Sequence, residues 1–357
     1  MLPVRIALIA SPFLEVPPPR YGGTELFIND LAVHLQGIGI EVVVYTVGTS
    51  TVLVERRSLY QKSRWPPANT TAERLRDLRH SGWAMADADR ACDVIHVNDT
   101  TALSHVPLVR KPVMHTLHHP FDEDTADFYR SLPDVQFVAI SKSQARRYSL
   151  HSLKVIHHGI DFSKYRFVER KQPYLSFLGR LVPVKGAHLA IKVAQRVGLP
   201  LKIAGEIQPA YRDYFEREIE PHVDGKSVEY VGEADLQAKN DLLGNSTALL
   251  FPVLWEEPFG LVAVEAMACG TPVIALRGGA AVETIQHGVS GFLARSIAEL
   301  AQLTRDATAI SPVQVRQYAQ EHFSAERMAH DYATLYHQVL RRRDSRVHAT
   351  TPVPAAN

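Results

Sequence analysis

The chain has 357 residues, of which 46% are hydrophobic and 22% are charged, and its formal net charge is +1. This composition is typical of a globular protein long enough for about two domains, and the balanced charge favours neither a nucleic-acid partner nor an acidic surface. The two cysteines, Cys92 and Cys269, are too few to predict a disulfide framework or a zinc site.

The first half of the chain alternates compact apolar runs with helical patterns. Strands are predicted at 4–10, 41–47, 93–97, 112–120, 135–140 and 154–156, and helices at 25–36 and 71–86. Such alternation predicts an α/β fold in which helices cover a parallel sheet. Because Gly37-Ile38-Gly39 is not followed by the third glycine of a dinucleotide fingerprint, a nicotinamide cofactor is not expected.

Two residue pairs next to these predicted elements, Gly22-Gly23 and Asn98-Asp99, are candidates for ligand contact. Gly22 and Gly23 stand before the first predicted helix, where they would let a ligand approach backbone N–H groups. A flexible hinge explains a glycine pair equally well. Asn98 and Asp99 follow a predicted strand, at the sheet edge where α/β proteins place ligand contacts, but both residues are also common turn formers.

Three histidines, His115, His118 and His119, lie at the end of a predicted strand. No carboxylate at helical spacing accompanies them, so they do not predict a metal site. The D-x-D sequences at 87–89 and 122–124 are short enough to arise by chance, and we interpret them as solvated helix and loop faces.

The second half of the chain repeats the alternation. Strands are predicted at 174–178, 201–204, 228–231, 248–252 and 273–276, and helices at 209–220, 238–244 and 328–341. Arg180 and Lys185 follow the first of these strands, on a loop with Gly179 and Gly186 at its ends. Such a loop suits a diphosphate, because the arginine can bind two oxygens, the lysine adds a point charge and the glycines let the backbone come close. Two exposed loop cations are the alternative.

The stretch from 255 to 276 carries an unusual helix. The helix is predicted from about Pro258 to Cys269, because proline suits a first turn and Gly270 suits the left-handed residue that ends one. Its residues are apolar nearly all round except for Glu265. A buried carboxylate requires either a protein partner or a cleft where a ligand supplies one.

A second carboxylate, Glu257, stands at the predicted helix start, beside the N–H groups of Phe259, Gly260 and Leu261. These donors suit hydroxyl or phosphate oxygens. The helical rise predicts a separation of about 12 Å between Glu257 and Glu265, too far for a two-carboxylate hydrolase but near the span of a sugar and a ribose. The alternative is an acid favoured by the helix dipole and a core glutamate bonded to a buried arginine.

The sequence E-P-F-G-L-V-A-V-E-A-M-A-C-G-T-P-V-I, which begins at Glu257, resembles the E-x7-E signature of family 4 retaining glycosyltransferases. The embedded P-F-G-L and E-A-M-A-C-G-T-P-V make this resemblance specific. It implies the GT-B fold, in which two Rossmann-like domains face each other across a cleft. Val282 departs from the family pattern, which usually has a proline before Glu283.

The resemblance also implies roles for individual residues. G-R-x-x-x-x-K-G places Arg180 and Lys185 on the leaving phosphates, with Gly22 and Gly23 facing them from the first domain. P-V-x-T-x-H selects His118 as the histidine near the donor sugar, with His119 as the second choice.

For the sugar nucleotide, the resemblance implies that Glu257 and the N–H groups beside it hold sugar hydroxyls, while Glu265 accepts hydrogen bonds from the ribose. Gly205 and Gly232 would lie near the nucleotide base.

Domain limits follow from the same reasoning. The first Rossmann-like domain is expected at 1–168, on the acceptor side, and the second, nucleotide-sugar-binding domain at 169–324. A C-terminal helix at about 325–342 should pack back on the first domain, and 343–357 are expected to be a disordered tail.

The function implied is retaining transfer of a hexose from a nucleotide diphosphate sugar, with UDP as the expected nucleotide, to an unidentified hydroxyl acceptor. The nucleotide sugar is then the co-substrate, and no cofactor or essential metal is expected. A nucleotide-sugar epimerase on the same fold and a catalytically silent sugar-nucleotide-binding protein remain as alternatives. No apolar run of about 18 residues is present, so the expected location is the cytoplasm, with peripheral membrane contact left open.

Overall fold

The computed structural model describes residues 4–20, 22–68 and 70–350, with side chains described as far as Arg342. The first sheet holds seven parallel strands in the order β3-β2-β1-β4-β5-β6-β7. Their bounds are β1 Arg5–Ile9, β2 Glu41–Tyr45, β3 Glu55–Arg57, β4 Val94–Val97, β5 Val113–Leu117, β6 Gln136–Ala139 and β7 Leu153–Val155. The strand order reverses between β1 and β4, and ligands bind at such a reversal in open α/β sheets.

Helices cover both faces of the first sheet. They are α1 Gly23–Gly37, α2 Thr71–Ala91, α3 Glu123–Arg130 and α4 Lys142–Ala145. Alternate residues of β1 serve the two faces: Ile6 and Leu8 pack with α1, whereas Ala7 and Ile9 pack in the core that includes α2. Because both faces are buried, the strands are nearly continuous apolar runs, which explains why most were predictable.

The second sheet holds six parallel strands in the order β10-β9-β8-β11-β12-β13. Their bounds are β8 Gln172–Leu178, β9 Leu201–Ala204, β10 Val228–Tyr230, β11 Ser246–Phe251, β12 Val273–Leu276 and β13 Gly291–Ala294. Here the order reverses between β8 and β11. The α/β fold class with two Rossmann-like domains is therefore confirmed.

The second sheet is also covered on both faces. Its helices are α5 Ala187–Val197, α6 Arg212–Glu218, α7 Leu236–Asn245, α8 Leu261–Ala268, α9 Ala281–Thr284, α10 Ile297–Arg305 and α11 Pro312–Phe323. Helices α8 and α11 pack on one face, and α5 and α10 on the other. Helix α8 thus lies between the sheet and α11, which accounts for its apolar composition all round.

The chain passes between the two sheets twice. Residues 156–171 lead from β7 to β8, and near residue 324 the chain returns into α12, Ala325–Thr350. The two crossings pair through Ile160 and Ser324. Met328, Tyr332 and Tyr336 of α12 pack in the core of the first domain. Helix α12 continues eight residues into the stretch expected to be disordered, while 351–357 lie outside the described residues.

Several elements were not predicted from the sequence. Strand β3 reads Glu-Arg-Arg and carries no apolar run, and β13 begins with glycine. These two strands are recognisable only from their tertiary neighbours, since both are outer strands of their sheets. Helices α3, α5 and α9 were also not predicted.

Candidate active site

The carboxyl ends of the two sheets face each other across a cleft of about 430 Å³ that both domains line. The lining includes eleven of the twelve residues predicted to form a site: Gly22, Gly23, His118, Arg180, Lys185, Gly205, Glu257, Phe259, Gly260, Leu261 and Glu265. Gly232 is the exception. The structure therefore brings together groups that lie up to 243 positions apart in the sequence.

The cationic loop after β8 forms one wall of the cleft. Gly186, with φ of 78°, ends its short 3₁₀ turn, and a Cβ there would lie 2.2 Å from the carbonyl oxygen of Pro252. Only glycine lets this loop pack against the chain that follows β11. Arg180 is half-buried and faces His119 of the first domain, whose pKa is lowered by burial and then by the Arg180 charge.

Helix α8 begins later than predicted. Pro258 is outside it, and Gly260 is its N-cap in a left-handed conformation with φ of 86°. The predicted end is confirmed, because Gly270 has φ of 78°. Since Glu257 precedes the helix, the separation of about 12 Å inferred from helical rise does not apply. Within the described chain, the N–H groups of Phe259, Gly260 and Leu261 have no acceptor and are available to a ligand.

Glu257 connects the cationic loop with the start of α8. Its Oε2 accepts hydrogen bonds from Lys185 Nζ at 2.6 Å and from Trp255 Nε1. Lys185 Nζ also lies 5.1 Å from the centroid of the Trp255 ring, a cation–π distance. Oε1 of Glu257 accepts no hydrogen bond from a described residue, so one carboxylate oxygen remains for a ligand hydroxyl.

Glu265 is 1% exposed, and it has protein partners as well as a place in the cleft lining. Tyr165 Oη and Lys239 Nζ each donate to its Oε1 at 2.9 Å. The buried arginine of the alternative interpretation is thus replaced by a lysine and a tyrosine. Its Oε2 accepts no hydrogen bond from the described chain, so a partner within the protein does not exclude a second one on a ligand.

Lys239 and Tyr165 were missed from the sequence. They lie 26 and 100 positions from Glu265. The signal was the isolated carboxylate itself, since a buried charge requires a partner. The sequence could not show which cation pairs with Glu265, because that partner is set by the packing of α7 and the inter-domain segment against α8.

The amino ends of α1 and α8 meet across the cleft. Gly23 is the first residue of α1, and a Cβ on it would lie 3.4 Å from Leu261 Cδ1 at the start of α8. Each helix start presents N–H groups and the positive end of a helix dipole. Two helix starts from different domains, together with Arg180 and Lys185, make this part of the cleft suited to an anion.

His118 is held between the first domain and the cleft. Its Nε2 lies 3.0 Å from Asn98 Oδ1, and its ring stacks on His158 and packs edge-on against Phe27. Burial, followed by the neighbouring histidines, lowers the pKa of His118 well below its ordinary value. The imidazole is therefore neutral at physiological pH.

Asn98 was expected either to contact a ligand or to form a turn. It is 5% exposed and orients His118, so it acts through that histidine. Its neighbour Asp99 accepts from the N–H of Thr101 and caps a 3₁₀ helix, which is the turn role.

The two glycines predicted near the nucleotide base differ in position. Gly205 lines the cleft, whereas Gly232 does not, and the carbonyl oxygen of Gly232 accepts from the N–H of Gly205 at 2.9 Å. Glu206 and Glu233, the residues that follow them, both line the cleft. Gly232 thus supports Gly205 from behind without forming the surface of the cleft.

Glu283 joins the two domains beside the cleft. Its carboxylate accepts from the N–H groups of Lys142 and Ser143 at 2.8 and 2.6 Å, and lies 3.0 Å from His157 Nε2. All three donors belong to the first domain. Burial would raise the pKa of Glu283, but these hydrogen bonds outweigh it and the pKa is lowered. This loop makes its contact with the first domain with Val282 at the position before Glu283.

Aspartates of the two D-x-D sequences have partners within the protein. Asp122 caps α3, Asp87 pairs with Arg57, and Asp89 pairs with Arg110. Across 4–20, 22–68 and 70–350, no group of three or more His, Cys, Asp or Glu side chains could hold a metal ion. In the same part of the chain no helix is both long and apolar enough to span a membrane.

Two family models match the two halves of the chain. Residues 21–164 match the model described as Glycosyltransferase Family 4, and residues 161–319 match the model described as Glycosyl transferases group 1. The junction between the models falls in the segment that joins the two sheets.

Individual proteins are similar over different lengths. An uncharacterized glycosyltransferase of Methanocaldococcus jannaschii is 26% identical over 80% of this chain and 84% of its own length. Glycogen synthase of Mycobacterium tuberculosis is 33% identical, but over only 44% of this chain and 40% of its own length. The crystal structure of Anabaena HepE with UDP and glucose superposes with a TM-score of 0.74 at 20% identity, covering 93% of this chain and 99% of that one. This last likeness concerns the fold.

Proposed function

We propose that this chain, a glycosyltransferase whose two halves match Glycosyltransferase Family 4 and Glycosyl transferases group 1, transfers a hexose from a nucleotide diphosphate sugar to a hydroxyl acceptor with retention of configuration. The observation that carries the proposal is that two helix starts and two cations line the same cleft. A departing diphosphate is the anion whose charge such a site would stabilise.

In the proposed reaction, the bond between the anomeric carbon and the diphosphate oxygen breaks and a bond to the acceptor oxygen forms. Arg180 and Lys185 stabilise the charge that develops on the leaving diphosphate, together with the N–H groups near Gly22 and Gly23. The acceptor proton passes to the leaving phosphate oxygen. These cations and dipoles supply charge stabilisation that a divalent metal would otherwise provide, which supports a metal-independent reaction.

Retention is proposed from the family resemblance, and the two cleft glutamates bear on how it would occur. Glu257 already accepts from Lys185 and Trp255, and Glu265 from Tyr165 and Lys239, so each carboxylate is held by cations and hydrogen bonds. We assign neither as the nucleophile of a covalent sugar intermediate, because the remaining oxygen of each is assigned to a hydroxyl of the donor. Same-face attack assisted by the leaving phosphate requires no such carboxylate.

The proposed binding roles follow the position of each group. Oε1 of Glu257 and the N–H groups of Phe259 and Gly260 hold sugar hydroxyls, and Oε2 of Glu265 accepts from the ribose. Neutral His118 contacts the sugar near its anomeric carbon, where a charged imidazolium would oppose the positive charge that develops on the sugar. UDP is the nucleotide to test first, because a neighbour of the same fold was crystallised with UDP and glucose.

The proposal is tested by incubating the protein with a panel of nucleotide sugars, with and without cell extract, and measuring nucleotide release. Release that depends on extract identifies transfer, and mass spectrometry of the product then identifies the acceptor. An epimerised sugar without acceptor would indicate the epimerase instead, and binding without any product would indicate a silent sugar-nucleotide-binding protein.

The phosphate role is tested by Arg180→Ala, with Arg217→Ala on the exposed side of α6 as the matched control. Loss of one group that stabilises transition-state charge lowers kcat by about 100- to 1000-fold. The control should retain full turnover, and both variants should melt within a few degrees of the unmodified protein. A folded Arg180→Ala variant with near-normal turnover would exclude the role of Arg180.

A further inference from the structure

His158 is a buried polar residue in the lining of the cleft. It is 3% exposed and lies on the segment that joins the two sheets. Its ring stacks on His118 of the first domain, with 5.4 Å between the centroids and 21° between the planes. Its centroid is also 4.6 Å from that of the Phe27 ring of α1, and 5.2 Å from that of Phe259, which packs edge-on just before α8. The imidazole is therefore held between elements of both domains.

The ring nitrogens of His158 have no partner within the described chain. Nδ1 is enclosed by protein and makes no hydrogen bond to a described residue, and Nε2 makes none either. Two other buried imidazoles of the first sheet are bonded, since His115 Nδ1 donates to the carbonyl oxygen of Val97 and His96 bonds to two side-chain hydroxyls. Buried polar groups nearly always have a partner, and each exception requires an explanation. Because His158 lines the cleft, a ligand can supply the missing partner.

The charge state of His158 selects the kind of ligand group. Burial, followed by the charge of Arg327, lowers the pKa of His158 to about 3. The guanidinium of Arg327 donates to the carbonyl oxygen of His158 at 3.0 Å and so stays close to this residue. The imidazole is then neutral at physiological pH and offers one N–H donor and one acceptor. A hydroxyl matches such a ring, whereas a phosphate is better matched by a cation.

The tautomer of His118 leaves an acceptor beside this ring. Asn98 Nδ2 donates to the carbonyl oxygen of His96 at 3.4 Å, so Asn98 Oδ1 faces Nε2 of His118 at 3.0 Å. Nε2 of His118 must then carry the proton, and its Nδ1, which makes no hydrogen bond to a described residue, is an acceptor. The two stacked rings together offer both donors and acceptors, which is also what a sugar hydroxyl requires.

We propose that the ring of His158 hydrogen-bonds a hydroxyl of the transferred hexose and thereby takes part in selecting the sugar. This inference rests on the proposed function, because it requires a hexose in the cleft. The donor sugar is favoured over the acceptor, since both polar neighbours of the ring are assigned to the donor: His118 to the sugar near its anomeric carbon, and the N–H of Phe259 to sugar hydroxyls. The contact contributes to affinity for the sugar and not for the nucleotide.

The test compares the affinities of a nucleotide sugar and its free nucleotide by calorimetry. UDP-glucose and UDP are used first, and otherwise the pair that the nucleotide-release panel identifies. His158→Phe keeps a planar ring between Phe27 and Phe259 but removes both nitrogens. We expect it to weaken UDP-glucose binding about tenfold, the size of one hydrogen bond, and to leave UDP binding unchanged. His158→Gln, which restores a donor and an acceptor, should recover most of the lost affinity.

Deoxy sugars identify the hydroxyl that His158 contacts. The set consists of UDP-glucose analogues that each lack the 2-, 3-, 4- or 6-hydroxyl. One analogue should bind the unmodified protein about tenfold more weakly than UDP-glucose does. The same analogue and UDP-glucose should bind His158→Phe equally, because the hydroxyl and the ring nitrogen form a single interaction that the variant has already lost.

The matched control is His115→Phe, which replaces a buried imidazole of the same domain outside the described cleft lining. It should keep the ratio of UDP-glucose affinity to UDP affinity. The inference is overturned if His158→Phe keeps this ratio too, or lowers both affinities equally. Unchanged donor affinity with a raised KM for the acceptor would assign His158 to the acceptor instead. If no nucleotide sugar binds the unmodified protein, the proposed function fails as well. Thermal melts check folding, and His158→Leu replaces a His158→Phe variant that does not fold.

Discussion

The pairing of Glu265 with Lys239 predicts a specific energetic coupling. Removal of Lys239 leaves a carboxylate that is 1% exposed with Tyr165 as its one remaining described donor. We therefore expect Lys239→Met to destabilise the protein by about 3 kcal/mol, the lower end for a broken buried ion pair, because Tyr165 still donates. Glu265→Gln should cost about 1 kcal/mol, since the Lys239 side chain is 17% exposed and can reach water.

The double variant Lys239→Met/Glu265→Gln removes both charges together. Its loss should be about 2 kcal/mol smaller than the sum of the single losses, and this difference measures the interaction. The assay is urea unfolding of all four proteins. The same cycle on Lys202 and Glu229, an exposed pair at 3.2 Å, is the matched control and should show coupling below about 1 kcal/mol.

Nucleotide affinity separates a ligand-binding Glu265 from a purely structural one. If its Oε2 accepts from a ribose, Glu265→Gln should weaken UDP binding by about tenfold or more in calorimetry, because hydrogen bonds to a charged group contribute about 1.5–3 kcal/mol. Additive stability losses would refute the buried pair. Coupling without any change in affinity would refute the ribose role and leave Glu265 as a structural residue.

Two further predictions concern His118 and Glu283. Because the pKa of His118 is lowered well below 6.5, kcat should be flat from about pH 6 to 8. The variant His118→Gln should lower kcat at every pH in this range. An inflection of kcat near pH 6.5 that disappears in the variant would contradict a neutral imidazole. Glu283→Gln should lose about 2 kcal/mol of stability at pH 7 in urea unfolding, because three donors of the first domain lose a charged acceptor. Because the pKa of Glu283 is lowered, its contribution to stability is present above the ordinary pKa of 4.5 and is lost as the pH falls through the folded-state pKa. The difference in unfolding free energy between the unmodified protein and Glu283→Gln should therefore narrow below pH 4.5. A difference that stays constant with pH would exclude this contact.

Most of the fold was predictable because both sheets are parallel and covered on both faces. Their strands must then be apolar at nearly every position, and 201–204 and 273–276 were predicted with the bounds that the structure has. Strand β3, Glu55–Arg57, shows the limit of this signal. It is an outer strand whose side chains form ion pairs instead of a buried core, so they carry no apolar run.

The start of α8 shows a different limit. Proline at 258 is compatible with a first helical turn, but Gly260 takes a left-handed conformation, so the helix begins after it. Only glycine fits at this position, because a Cβ there would lie 2.9 Å from the Phe251 ring. Local preference allowed a helix from Pro258, and the backbone conformation of Gly260 decides its later start.

By itself the sequence identified candidate residues that the structure places in the cleft lining: two cations on a glycine-bounded loop, two glutamates around one helix, a glycine pair and a histidine. Each is a local signal of residue type and spacing, and such signals are independent of how the domains meet. Only the tertiary structure decided the partners. The packing of separate elements joins Lys185 to Glu257, Lys239 and Tyr165 to Glu265, and Asn98 to His118. Burial makes these partnerships necessary, because a charge removed from water needs a counter-charge or a donor, and the fold determines which one is within reach.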